Sequence, residues 1–120
     1  MSKYSSDRKV KIGQVGRMSE AKAAKQLNAR LTPASGALAG AKGDMTADNY
    51  LIEAKSTVNK SMSLKLLWLQ KITHESLTTG KVPAVSVRFT TEYGDAVHGG
   101  DWVMMPASQF KELMDVELPE

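Results

Sequence analysis

The sequence predicts an α/β fold in which a central mixed β-sheet is flanked by helices. Two patterns support this: segments with apolar residues on a helical period alternate along the chain with short segments of alternating polarity. At 120 residues, with 42% hydrophobic and 24% charged residues, the chain suits one soluble domain with a real core. We therefore expect a single site on a single domain.

The first elements are a basic arm and a helix. Residues 1–16 lack periodicity and mix Lys, Ser and Gly, which predicts a flexible N-terminal arm ahead of one domain at residues 17–120. Residues 18–31, "MSEAKAAKQLNARL", predict a helix stopped by Pro33. Glu20 would lie in its first turn, where the helix dipole favours a carboxylate.

The next segment is rich in small residues and predicts a loop, "TPASGALAGAKGD" at residues 32–44. It lacks the Gly-Lys-Ser/Thr ending of a phosphate-binding loop and the glycine spacing of a dinucleotide fingerprint, so no nucleotide cofactor is expected. Residues 44–46 and 50–55 predict two short strands, and Asp48 and Asn49 between them predict a hairpin.

The second half of the chain predicts a helix, two strands and a closing helix. Residues 64–80 carry apolar residues on a helical period and end at Gly80. Residues 82–95 alternate like a half-buried strand, with Val85, Val87 and Phe89 on one face. Residues 101–105 predict the last strand, and Pro106 opens a short helix through residue 114.

Composition excludes several classes of function. The absence of cysteine excludes disulfides, thiolate chemistry and cysteine zinc sites. No run of 18 apolar residues and no apolar leader segment occur, so we expect no membrane partner and a cytoplasmic location, in a host cell if a phage encodes the chain.

Charge is distributed unevenly along the chain. Residues 1–43 carry a net charge of +7, whereas the remainder carries −4. This asymmetry indicates a basic arm and helix that bind a polyanion, although a solvated basic tail would give the same pattern. The candidate nucleic-acid contacts are Lys3, Arg8, Lys9, Lys11, Arg17, Arg30 and Lys42.

Two ionisable residues stand within the predicted core strand "YLIEAKST". Residues two apart on a strand share a face, so Glu53 and Lys55 lie side by side. Two ionisable groups in a core strand cost several kcal/mol unless they are paired or bound to a metal. Asp44, at the start of the neighbouring strand, is the nearest carboxylate that could converge on Glu53. Paired carboxylates favour a hard divalent cation, for which magnesium is the natural candidate, and phosphodiester hydrolysis would suit the set.

A plainer interpretation remains open at this point. Glu and Lys at this spacing are in most proteins a solvated face or a cross-strand ion pair. His74 and His98 are expected at the surface, and Trp68 and Trp102 in the core or an interface rather than stacked on bases.

Taken in order, Glu20, "PASGA" at residues 33–37, Asp44, "IEAKST" at residues 52–57 and "VPAVSVRF" at residues 82–89 resemble the PD-(D/E)xK nuclease superfamily. More narrowly, residues 17–105 resemble archaeal-type and phage-type Holliday junction resolvases. The resemblance implies a restriction-endonuclease-like fold and a homodimer that cuts opposed strands of branched DNA during recombination and repair.

The resemblance also implies roles for individual residues. Asp44, Glu53 and the backbone carbonyl of Ala54 would bind Mg²⁺, with Mn²⁺ as a substitute, and Lys55 would position the attacking water. Glu20 and Ser35 would complete the catalytic set, and Gln70 is a possible auxiliary residue. One departure is Gly43, where the family has proline; we expect glycine to adopt the same backbone there.

Two other functions fit the same residues. One is a different PD-(D/E)xK nuclease that cuts duplex, flap or nicked DNA. The other is a non-catalytic DNA-binding protein that has kept the fold.

Overall fold

The computed structural model describes residues 2–33 and 43–116, with side chains at residues 13–33 and 43–115. Within these ranges the chain forms a five-stranded mixed sheet and three helices, so the predicted α/β class is confirmed. The elements are α1 (Ser2–Gln26), β1 (Arg30–Leu31), β2 (Met45–Ala47), β3 (Tyr50–Thr57), α2 (Leu66–Thr79), β4 (Val82–Thr90), β5 (Ala96–Met104) and α3 (Ala107–Val116).

The strands are ordered β1-β2-β3-β4-β5 across the sheet. β3 and β4 are parallel and are connected through α2, whereas the other neighbouring pairs are antiparallel. The predicted hairpin is present: β2 and β3 pair from Ala47 with Tyr50 outwards, and Asp48 between them has φ +52°.

Helices α1 and α2 cover opposite faces of the sheet. Ala23 and Ala24 of α1 pack with Met45, Ile52 and Ala84. On the other face, Ile72 of α2 packs with Leu51 and Val85. Alternate residues of β3 and β4 therefore serve two separate apolar layers, as the period of two along a strand requires.

Helix α1 differs at both ends from the prediction. It begins at Ser2, so residues 2–16 are helical where the sequence suggested an irregular arm, and Glu20 lies far from the first turn. It ends at Gln26 rather than at residue 31, because Asn28 adopts a left-handed conformation with φ +54°. The Ala29 amide donates to the Ala24 carbonyl at 2.7 Å and the Asn28 amide to the Lys25 carbonyl at 3.3 Å. These two bonds form a Schellman motif, which turns the chain into β1.

Two other boundaries bear on the predictions. Helix α2 ends as expected at Gly80, which has φ +69° and donates its amide to the Ser76 carbonyl. Strand β5 begins at Ala96, five residues before the predicted start, so His98 lies in a strand, where it is exposed. Among the described residues, no helix is long and apolar enough to span a membrane.

Candidate metal and nucleic-acid site

The candidate site lies at the edge of β3, where β2 stops pairing with it. Strand β2 begins at Met45, opposite Ile52, and the Asp44 amide donates to the Ile52 carbonyl at 2.8 Å. Two residues further along β3, the side chain of Asp44 replaces the missing backbone partner. Its Oδ2 accepts a hydrogen bond from the Ala54 amide at 2.7 Å.

This bond fixes the direction of the backbone at Ala54. In an antiparallel ladder, the amide and the carbonyl of one residue point towards the same neighbouring strand. The Ala54 carbonyl therefore points to the side of β3 on which Asp44 lies. The carboxylate of Asp44 and the carbonyl of Ala54 share one open edge of the sheet.

Glu53 and Lys55 share a face of β3, as the strand period predicts. Lys55 Nζ lies 3.3 Å from Glu53 Oε2, and both side chains are largely buried, with 28% and 15% of their surface exposed. Lys55 Nζ also lies 4.4 Å from the centroid of the Trp68 ring on α2. An ion pair and a cation–π contact thus hold the ammonium group in place.

The carboxylates influence one another. Burial raises the pKa of Glu53, and the charge of Asp44 raises it further, against smaller opposing effects of Lys55 and Lys71. Burial likewise raises the pKa of Glu20, with additional contributions from Asp44 and Glu53. Glu20 belongs to α1, so this helix brings a third carboxylate towards the two on the sheet. Like charges held together in this way favour a proton or a cation between them.

The backbone conformation at Gly43 differs from the one that the sequence predicted. Its φ is +60°, which a proline cannot adopt, so the chain reaches Asp44 by a different path from one containing proline. A Cβ atom at this position would lie 3.0 Å from Leu51 Cγ and 3.1 Å from the Ile52 carbonyl oxygen. The Gly43 amide donates to Glu75 Oε1 of α2 at 2.9 Å, a contact that the sequence analysis missed. The only local signal for Glu75 is Lys71 one helical turn earlier, 3.9 Å from its other oxygen.

Helix α1 is held against the sheet by a buried arginine that sequence reasoning also missed. Arg88 of β4 donates from Nη1 to the Ser19 carbonyl at 2.6 Å, to Ser19 Oγ at 2.9 Å and to the Gly94 carbonyl at 3.2 Å. Its Nε lies 3.3 Å from Asp101 Oδ1, close enough for an ion pair but not aligned for a hydrogen bond. The side chain of Arg88 is 6% exposed. No local pattern predicts this contact, because it joins residues 69 positions apart.

The remaining candidate residues do not contact Asp44 or Glu53 within the described part of the chain. Gln70 is exposed on α2, Arg17 is exposed on α1, and Arg30 is exposed on β1 at the far edge of the sheet. Ser35 and Lys42 lie outside the described residues. The candidates at positions 3, 8, 9 and 11 belong to α1, with their side chains outside the described set.

The donor set fits a magnesium ion better than a transition metal. Among the residues that the structure describes, no three His, Asp or Glu side chains are grouped closely enough to hold a metal on their own. Magnesium, however, is commonly bound by one or two carboxylates and completes its shell with water and substrate oxygens. Asp44, Glu53 and the Ala54 carbonyl offer hard oxygen ligands of that kind, and no cysteine exists to favour a softer metal.

Comparison of the chain with protein-family models, with curated proteins and with solved structures gives no match. The function of this protein is therefore inferred from the geometry of its site.

Proposed function

We propose that this protein is a magnesium-dependent endonuclease that resolves four-way DNA junctions. The observation that carries the proposal is the arrangement at the edge of β3. There, Asp44 bonds to the Ala54 amide at 2.7 Å and Lys55 lies 3.3 Å from Glu53. Asp44 and Glu53, whose charges act on each other, therefore lie with a carbonyl and an ammonium group near one stretch of β3, which supports a site for a phosphodiester.

The chemistry follows from these groups. Asp44, Glu53 and the Ala54 carbonyl would hold Mg²⁺, which when bound polarises a phosphoryl oxygen and lowers the pKa of water. Lys55 would orient the attacking water and balance charge that develops on the phosphoryl group. Its contacts with Glu53 and Trp68 keep the ammonium at a fixed position, as electrostatic catalysis requires. Glu20 would add negative charge beside the ion.

DNA binding would depend on the basic first third of the chain. Helix α1 carries most of its lysines and arginines, and Glu20 lies on that same helix. A DNA strand held along α1 would therefore be led towards the carboxylates. Junction resolution needs two opposed strands to be cut, so the proposal includes a homodimer with one site in each subunit.

One observation favours a second candidate, a DNA-binding protein without catalytic activity. It is the 3.3 Å ion pair between Lys55 and Glu53, because a carboxylate already balanced by an ammonium group does not require a metal ion. Such a protein would use the basic helix to bind branched DNA and would leave the strands intact.

A cleavage assay separates these candidates. Labelled four-way junction and matched linear duplex are each incubated with the protein in Mg²⁺ or in EDTA. Paired symmetrical nicks that appear on the junction alone support the resolvase. Equal cutting of the duplex supports a less specific nuclease, and retention of the junction without cutting supports the binder.

Variants at the site test the residue assignment. Asp44→Asn, Glu53→Gln and Lys55→Ala should each lower the cleavage rate by about 10²-fold or more while junction affinity in EDTA stays within a few-fold of wild type. Glu92→Gln and Lys60→Ala change the same residue types at exposed positions and serve as matched controls. Cleavage at the wild-type rate by any of the three site variants would refute the assignment.

A further inference from the structure

A cleft runs between α1 and the sheet, beside the carboxylates of the candidate site. Its volume is about 350 Å³. The lining includes Gly13, Gly16, Arg17 and Glu20 of α1 and Ser86 and Arg88 of β4. Glu20 lies on the side of the cleft that is near Asp44 and Glu53. We call it the α1 cleft. None of the functions assigned above to individual residues explains why it is open.

The two glycines are unusual because they lie within a helix. Glycine in a helix interior lowers stability relative to alanine, so its presence requires a reason. Packing against the described side chains does not supply one: among them, a Cβ atom at Gly16 would meet nothing within 4 Å, and at Gly13 it would meet only Arg17 Nη1, at 3.8 Å. Among the described residues, therefore, nothing occupies the space that these glycines leave open.

The floor of the cleft supplies an independent observation. Ala84 and Arg88 of β4 both contact α1, so Ser86 between them faces the same helix. Ser86 is 1% exposed, and its hydroxyl has no hydrogen-bond partner among the described residues. An unpaired buried hydroxyl destabilises a folded protein and is rarely kept without a use.

The charges that line the cleft indicate what it would hold. Arg17 is exposed, and its guanidinium lies close to the bare surface of Gly13, one helical turn earlier. Arg88 is already engaged with Ser19, Gly94 and Asp101. Lys55, which also lines the cleft, is engaged with Glu53 and Trp68. Arg17 is therefore the cation left to meet a ligand among the described lining residues. A guanidinium beside a hydroxyl and bare helix backbone suits a phosphate oxygen.

We infer that the α1 cleft binds a backbone phosphate of the DNA strand next to the phosphate that is cut. Arg17 binds the phosphate oxygens, Ser86 donates from the floor, and the glycines leave room for the strand to approach the helix. This inference rests on the proposed nuclease function for the identity of its ligand. It adds a site that sets the position of the strand before cleavage.

The binding experiment uses a tetrathymidylate and its uncharged methylphosphonate analogue. Each is titrated into ¹⁵N-labelled protein while the amide signals of Gly13, Gly16 and Ser86 are followed. The charged oligonucleotide should shift these signals and the analogue should not. Equal shifts with both would overturn the inference, because recognition would then not depend on the phosphate charge.

The second experiment fills the cleft with a side chain. Gly16→Leu places a side chain in the open space and should weaken tetrathymidylate binding at least tenfold, while the melting temperature stays equal or rises because leucine favours a helix. Gln14→Leu adds the same residue at an exposed position of α1 outside the cleft and should leave binding unchanged. Wild-type affinity in Gly16→Leu would overturn the inference.

The two proposals can fail separately. If the wild-type protein cuts no DNA but the tetrathymidylate still shifts the cleft signals, the phosphate site stands and the nuclease proposal falls. If junctions are cut at the same rate by wild type and by Gly16→Leu, the nuclease proposal stands and the cleft has no part in it.

Discussion

Replacing Arg88 with methionine should destabilise the fold strongly, because this side chain joins three elements. Its Nη1 donates to two atoms of Ser19 and to the Gly94 carbonyl, and its Nε lies 3.3 Å from Asp101 Oδ1. Methionine has a similar length and keeps much of the apolar contact. The change therefore removes the charge and the donors while creating little cavity.

The magnitude follows from the burial of the two partners. Removing one member of a buried ion pair costs about 3–5 kcal/mol, since the other charge is left without compensation. The side chain of Asp101 is 25% exposed and can recover some hydration, so the lower end of that range applies. We expect a loss of about 3 kcal/mol in the free energy of unfolding, or roughly 12 °C in melting temperature for a chain of this size.

Urea unfolding followed by circular dichroism measures this loss. Arg30→Met is the matched control: Arg30 is exposed on β1, and its replacement should change stability by no more than about 0.5 kcal/mol. The double variant Arg88→Met with Asp101→Leu should be more stable than Arg88→Met alone, because no unpaired carboxylate remains. A loss below about 1 kcal/mol in Arg88→Met would show that α1 is held by its apolar contacts instead.

Three further outcomes concern the acidic site and the basic helix. Burial and neighbouring carboxylates raise the pKa of Glu20 above its ordinary value of 4.5, so its contribution to stability is present below that value and is lost as pH rises through the folded-state pKa. Glu20→Gln should therefore melt higher than wild type near pH 7 but not near pH 4, and an advantage that is the same at both pH values would contradict this. Mg²⁺ at 100 times its dissociation constant should raise the free energy of unfolding of the wild type by about 2.7 kcal/mol, and EDTA should reverse this increase. Glu53→Gln should lack the increase, and an equal increase in that variant would exclude Glu53 as a ligand. Deleting residues 1–12 removes four basic side chains and should reduce the slope of log affinity against log salt by up to about 3.6; an unchanged slope would rule out a role for those residues in phosphate binding.

The parts of the fold that follow local rules could be predicted from the sequence. The period of two along β3 places Glu53 and Lys55 on one face, and their 3.3 Å contact agrees with it. Asp48 with positive φ forms the turn of the hairpin, and Gly80 with positive φ ends α2. Each of these features depends on residues within a few positions of one another.

Other parts depend on contacts between distant residues, and the expectations from sequence were wrong or absent there. The left-handed conformation of Asn28, followed by the pairing of β1 with β2, ends α1 earlier than its periodicity suggests. Gly43 takes a φ of +60° where Leu51 and Ile52 approach it closely, and no property of the local sequence distinguishes that conformation from an extended one. Strand β5 includes Gly99 and Gly100, which resemble a loop in the sequence and lie at the register shift between β4 and β5.

The carboxylates of the site are fixed through the residues that precede them. Ser19, just before Glu20, is held by Arg88, and Gly43, just before Asp44, is held by Glu75. Glu53 is fixed within β3 itself, where it pairs with Val85 of β4. Mutual repulsion would otherwise be relieved by a small movement of α1 or of the chain at Gly43. Because those backbone positions are tied to buried or half-buried partners, the repulsion persists in the folded state. It adds to the larger effect of burial in raising the pKa values of Glu20 and Glu53. A cation that entered between the carboxylates would therefore gain the energy of relieving that repulsion without having to assemble the site first.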